Sequence, residues 1–226
     1  MRLADLPHQP HRSNREDTTM AETEPVSERF SDDDATPARK RPRPGERRLQ
    51  ILQTLAAMLE QPGAERVTTA SLAAKIGVSE AALYRHFASK AQMFEGLIDF
   101  VDQSVIGLIR QVTDREPAGP MQASRIVALL LQFAEKNPGM SRVMIGDALV
   151  LEHERLQERI NLLFDKIEAQ LRQSLKAQDS PTPSSDAQLV ASLLVAFMQG
   201  RLQRFARSGF KRLPSEHLQA ALARML

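Results

Sequence analysis

The amino-acid sequence predicts an all-α protein, on three observations. From residue 46 onward apolar side chains recur at three- and four-residue steps. No stretch alternates apolar and polar residues between turn signals, as a half-buried strand would. The core material also suits helices: 42% of the 226 residues are hydrophobic but only 4% aromatic, so Leu, Ile, Val, Ala and Met must fill the interior. The length fits one compact body with a small appendage.

Residues 1–44 stand apart. They hold six prolines, the run Asp32-Asp33-Asp34 and almost no periodic apolar positions, a composition that cannot offset its ordering entropy. We read them as a disordered tail. Its end, Arg39-Lys40-Arg41-Pro42-Arg43, reads either as a solvated basic linker or as an arm reaching DNA through Arg41 and Arg43.

After Gly45, Leu49, Leu52, Leu55, Ala56 and Leu59 make one apolar helix face, which Pro62-Gly63 stops. A short second helix starts at Thr68-Thr69, where either hydroxyl can cap free amides, and carries Leu72, Ala73 and Ile76 to Gly77. Gly77-Val78-Ser79 is a tight turn with a glycine for positive φ and a serine as the next N-cap. A third helix covers Glu80 to Phe87. Ala88-Ser89 separates it from a long fourth, striped by Met93, Phe94, Leu97, Ile98, Val101, Val105, Leu108, Ile109 and Val112. Further helices are expected near 121–136, 140–147, 148–177 and 187–208, with a short one from Ser215. Asn137-Pro138-Gly139 and the 179–185 turn interrupt them.

The charge is unevenly spread. Residues 1–38 hold four basic and nine acidic side chains, net −5; residues 39–90 hold ten and four, net +6; the remainder is near neutral. A basic window of that size is an electrostatic footprint for nucleic acid, and equally for an acidic partner or anionic lipid. Position decides. Residues 68–87, TTASLAAKIGVSEAALYRHF, place two short helices around a glycine turn, the helix-turn-helix plan. Leu72, Ala73, Ile76, Val78 and Leu83 can form the shared core. Ser79, Ala81, Tyr84, Arg85 and His86 then face outward, where Ala81 offers methyl contact to thymine and Arg85 a bidentate pair to guanine. An ordinary αα-hairpin is the alternative, weakened by the lack of apolar residues on that outward face.

The chain has no cysteine, so thiol chemistry and Cys-type metal sites are excluded. Its histidines, at 8, 11, 86, 153 and 217, lack metal-ligand spacing, and no Gly-rich phosphate loop occurs. We expect a non-enzyme without cofactor. No apolar run approaches the ~20 residues of a membrane span, and the N-terminus lacks a signal-peptide core, which makes a cytoplasmic protein the default. The helix at 187–208 lines up Leu189, Leu193, Ala196, Phe197 and Gly200 along one side, more apolar surface than a monomer should expose, so a homodimer is expected there.

Leu83-Tyr84-Arg85-His86-Phe87 followed by Ser89-Lys90 resembles the TetR family of bacterial DNA-binding proteins. That resemblance implies a helix-turn-helix domain, here 45–92, on a helical dimerisation and partner-binding domain, here 93–226, with Thr69, Ser79, Tyr84, His86 and Lys90 contacting phosphates or bases of palindromic DNA. More narrowly, residues 67–94, the turn at 137–139 and residues 156–173 resemble the nucleoid occlusion branch of the family, over most of 46–210. That implies association with the nucleoid and antagonism of the division protein FtsZ, across a surface including Phe100, Leu129, Lys136 and Asn137. Leu108 and Gln132 depart from that branch's pattern. A ligand-responsive repressor stays open as the alternative, although the stripes Leu97/Val101/Val105 and Ile126/Leu129/Leu130/Phe133 read as core rather than pocket. A helical adaptor that does not bind DNA is a third reading.

Overall fold

The first helix starts where glycine hands over to three charged residues and then to apolar ones at helical spacing. In a computed structural model describing residues 45–61, 67–176 and 184–226, α1 spans Glu46–Leu59. The tail with Arg41 and Arg43, the Pro62-Gly63 stop and most of the 179–185 turn lie outside the described residues. The other helices are α2 Thr69–Ile76, α3 Glu80–Tyr84, α4 Lys90–Thr113, α5 Pro120–Lys136, α6 Pro138–Met144, a 3-10 turn Asp147–Leu149, α7 Glu154–Leu175, α8 Ser184–Arg207 and α9 Leu218–Met225. Among the described residues there is no strand, and no helix is long and apolar enough to cross a membrane.

Local chemistry sets these ends. Thr68, not Thr69, caps α2: its hydroxyl accepts from the Ser71 amide at 3.1 Å, while Ser71 Oγ accepts from the Thr68 amide. Gly77 closes α2 in the left-handed conformation, φ 75°. Ser79 and Ser89 cap α3 and α4 through the amides of Ala82 and Gln92.

Three expected boundaries shift. α3 stops at Tyr84 instead of Phe87, because the Leu83 carbonyl accepts from both His86 and Phe87 amides and turns the chain. The expected 148–177 helix begins only at Glu154: Val150 and Leu151 are exposed in a turn, and His153 Nδ1 caps α7 by accepting from the Arg155 amide at 3.3 Å. The last helix starts at Leu218, three residues late, since His217 adopts φ 52°.

α1 to α3 and the first turn of α4 form a head, and α4 to α9 form the body. α4 runs across residues 92 and 93 without a break, so the two share one apolar cluster from Ile51 to Leu222. α7 packs against α8 and α4, and α5 lies against α4, α7 and α8. α6 fixes the head from the other side. A Cβ at Gly139 would come within 2.2 Å of the Ala56 carbonyl oxygen, so only glycine lets α6 lie this close to α1. Gly139→Ala is expected to destabilise the protein by about 1–3 kcal/mol, the usual cost of forcing an extra methyl into a packed contact. Urea unfolding checks this; an unchanged midpoint would mean that α1 and α6 part without cost.

Candidate nucleic-acid interface

The head presents α3 on a base of fully buried side chains. Leu83 and Phe87 are at most 1% exposed and pack with Leu72, Ala73 and Ile76 of α2, leaving the rest of α3 to solvent. Ser79, Ala81 and Arg85 are exposed, His86 is half-buried, and Tyr84 is 45% exposed. An exposed helix with a phenol, a guanidinium and an N-terminal hydroxyl offers donors of the types that grip phosphates and base edges, and an α-helix matches the width of a major groove. Arg85 has no hydrogen-bond or ion-pair partner among the described residues, so its fork is open to a ligand.

Other sequence-predicted residues are already engaged. The Thr69 hydroxyl donates to the Glu80 carboxylate at 2.6 Å, tying α2 to α3. Ser79 Oγ accepts the Ala82 amide as a cap, leaving its own proton to give. Lys90, half-buried over the Phe94 ring at 5.7 Å from its centroid, donates to Glu152 in the turn before α7. Reaching a phosphate would require it to leave that carboxylate. Arg41 and Arg43 lie outside the described residues.

Two contributors are absent from the sequence reading. Arg48 donates to the His86 carbonyl and stacks on the Phe87 ring, 4.1 Å from its centroid, so α1 clamps the end of the recognition helix. Glu152 opens a series of ion pairs joining α4 to α7: Lys90–Glu152, Glu95–Arg155 at 2.8 Å, Asp99–Arg159 at 2.5 Å and Asp102–Lys166 at 2.8 Å. Partners some 60 residues apart leave no local pattern. The available signal was acidic Glu95, Asp99 and Asp102 at four- and three-residue steps on α4, against basic Arg155, Arg159 and Lys166 at four- and seven-residue steps on α7.

The partner surface expected on α4 and α5 divides in two. Phe100 and Leu129 are half-buried at the α4–α5 seam, with the Phe100 and Phe133 rings 6.2 Å apart, and Lys136 is exposed at the end of α5. Asn137 faces inward: it is 6% exposed and its amide donates to the Phe133 carbonyl at 2.8 Å, so it sets the α5–α6 junction and does not present a contact surface. On α8, Leu189 and Leu193 are 60% and 53% exposed, Ala196 and Gly200 are exposed, and Phe197 is half-buried under the Arg201 guanidinium, 4.8 Å away. A Cβ on Gly200 would meet nothing within 4 Å.

A helix-turn-helix head sharing its fourth helix with an all-helical body defines a TetR-type regulator, and the chain belongs to that family. Residues 51–97 match the model of bacterial regulatory proteins of the tetR family, and residues 121–225 match the SlmA-like, tetracyclin repressor-like C-terminal domain. Within the family it belongs with the nucleoid occlusion factors SlmA. It is 49% identical to that of Idiomarina loihiensis over 177 residues, 77% of this chain and 90% of the relative. It is 50% identical to that of Shewanella oneidensis over 174 residues, 76% of this chain and 88% of the relative. In fold it is similar to the TetR family transcriptional regulator PfmR of Thermus thermophilus, with a TM-score of 0.63 at 20% identity over 79% of this chain and 95% of that one. A transcriptional regulator of Aquifex aeolicus gives 0.64 at 14%, over 79% and 99%.

If Lys90 contacts a phosphate, it must give up Glu152; on that expectation Glu152→Gln should tighten binding to duplex DNA several-fold, while Lys90→Ala should weaken binding to all sequences alike and flatten the salt dependence by about 0.9 per phosphate lost. Fluorescence anisotropy across a salt series measures both. Weaker binding by the Glu152 variant at unchanged melting temperature would show that the carboxylate positions Lys90 for DNA.

Proposed function

We propose that this chain is a nucleoid-associated DNA-binding protein that grips palindromic chromosomal sites as a twofold dimer through α2 and α3, and that when bound it antagonises FtsZ ring assembly. One observation carries the reading: the likeness to nucleoid occlusion factors spans head and body together, and the exposed α3 ends in exposed Tyr84, followed by Arg85, which has no partner among the described residues. Tyr84, Lys90, Ser79, Thr69 and His86 would hold the backbone. Arg85 and Ala81 would read bases.

Two protomers meet, on this reading, along the stripe from Leu189 to Gly200. Exposed leucines on a 24-residue helix favour burial, and the small Ala196 and Gly200 admit a second copy closely. A twofold protein sets its half-site spacing by the separation of its two recognition helices. FtsZ would meet the Phe100–Leu129 seam and Lys136. The fold neighbours are transcriptional regulators, but their low identity supports the architecture alone, and Leu97, Val101, Val105, Ile126, Leu130 and Phe133 are buried core, so the ligand-responsive repressor gains no observation of its own.

Leu193→Glu is expected to shift the protein from dimer to monomer in sedimentation at micromolar concentration, and to lower affinity for a full palindrome far more than for a half-site. FtsZ co-sedimentation with and without operator DNA tests the second half. Polymer mass should fall only when DNA is present, and Lys136→Glu, at an exposed helix end, should remove the effect while leaving DNA affinity within about twofold. No FtsZ response at DNA-saturating concentrations would overturn the division reading and leave a repressor.

A further inference from the structure

The end of α8 and the chain after it collect positive charge. Arg201, Arg204, Arg207, Lys211 and Arg212 fall within twelve residues that contain no Asp or Glu. Arg201 is committed to the Glu216 carbonyl at 2.8 Å and to the Phe197 ring. The side chains of Arg204, Arg207, Lys211 and Arg212 have no hydrogen-bond or ion-pair partner among the described residues, unlike Lys90, Arg155, Arg159 and Lys166 of the α4–α7 series. In the last turn of α8 the helix dipole favours Arg204 and Arg207. Lys211 and Arg212 lie beyond the helix, where no such compensation reaches them.

The backbone is bent to hold them there. Gly209 and Phe210 are consecutive left-handed residues, and Phe210 and His217 are the non-glycine residues with positive φ among those described. The two bracket the segment, and non-glycine residues in this region cost free energy that the surroundings must supply. Here the surroundings are explicit: the Phe210 ring meets Phe205 edge-on at 5.1 Å and lies 5.4 Å from the Arg142 guanidinium, while Ser208 Oγ accepts both the Lys211 and Arg212 amides. The result is a cleft of about 510 Å3 lined by Arg204, Lys211, Arg212, Leu213, Ser215 and Glu216.

We propose that this cleft is an anion site for phosphate groups. Two guanidinium forks, an ammonium and a hydroxyl around one concavity match clustered phosphoryl oxygens and outnumber the one carboxylate there, Glu216, which is half exposed to solvent. Unpaired like charges repel one another until an anion arrives, and the volume exceeds what a single small ion needs. The cleft lies at the end of the body nearest the head: the Ser215 amide donates to Glu135 near the end of α5 at 2.7 Å, Arg142 belongs to α6, and α6 rests on α1. The phosphates could therefore belong to DNA held by the head or to a soluble polyphosphate. None of these residues lies on α2 or α3, so this proposal and the helix-turn-helix reading fail separately.

Inorganic triphosphate, titrated against the full chain without DNA and at matched ionic strength in chloride, is the first probe. If the ligand is soluble, the melting temperature should rise by about 5–10 °C at a hundredfold excess over the dissociation constant, and Lys211→Gln with Arg212→Gln should abolish the rise. If the ligand is DNA, triphosphate should leave the melting temperature unmoved, and the same double variant should reduce the salt slope of operator binding by about 1.8 per dimer, one phosphate for each protomer. Should the double variant not fold, Arg212→Gln alone, at an exposed position off the helix, serves the same comparison. A melting temperature unmoved by triphosphate, together with an unaltered salt slope in the variant, would overturn the proposal.

Discussion

The structure depends on α4 being one uninterrupted helix buried along its whole length. Met93, Phe94, Leu97 and Ile98 pack in the region where head meets body, and Val101, Val105, Ile109 and Val112 continue the same stripe through the body. A helix is stiff over this length, and a buried stripe fixes its rotation. The orientation of α3 is thereby tied to the position of α5 and α7. Gly139 against Ala56 removes the remaining freedom, so head and body have two rigid attachments.

The periodic parts of this arrangement were legible in the sequence. Leu72, Ala73, Ile76, Leu83 and nearly all of the α4 stripe are buried as their spacing requires; Leu108 is only half-buried. On α1 the same counting caught Leu55, Ala56 and Leu59 but passed over Ile51, which is 0% exposed, while Leu49 and Leu52 sit at the margins of the face. Counting from the first apolar residue misplaces the centre of a broad stripe by a fraction of a turn. The end of α3 was illegible for another reason. Tyr84-Arg85-His86-Phe87 has acceptable helix formers, and the turn in which the Leu83 carbonyl takes both the His86 and Phe87 amides is held by Arg48, 38 residues away, on the His86 carbonyl. Asn137 illustrates the limit of resemblance: a residue type carried over to a contact surface is spent on a helix end once packing is known.

Charge shows the same division between local and distant information. Summing over the 136 residues after position 90 gave near neutrality and hid two unlike populations. One is paired across α4 and α7. Ion pairs that are a third or more exposed contribute little to stability individually, but pairs in register along two helices fix how they slide past each other. The other population, at the end of α8, is without partners among the described residues apart from Arg201, and a twelve-residue window would have exposed it where a long window could not.

Lys90, the last residue of the basic window, heads the paired series and also stands at the first turn of the helix that orients the head. If DNA draws its ammonium away, Glu152, whose side chain is 12% exposed in the pair, is left with its charge uncompensated, and the turn carrying exposed Val150 and Leu151 loses its tether to α4. Any molecule that binds better to the untethered turn must then favour DNA binding by the same factor by which DNA favours it, since coupling between two equilibria is reciprocal. The size of that coupling is bounded by the ion pair itself. A partly buried pair between mobile side chains holds a modest free energy, so DNA occupancy can bias the body several-fold without needing a large rearrangement of its core. A stiff α4 and a weak ion pair at its first turn are therefore complementary: the helix transmits orientation, and the pair sets how much of the phosphate interaction is felt beyond the head.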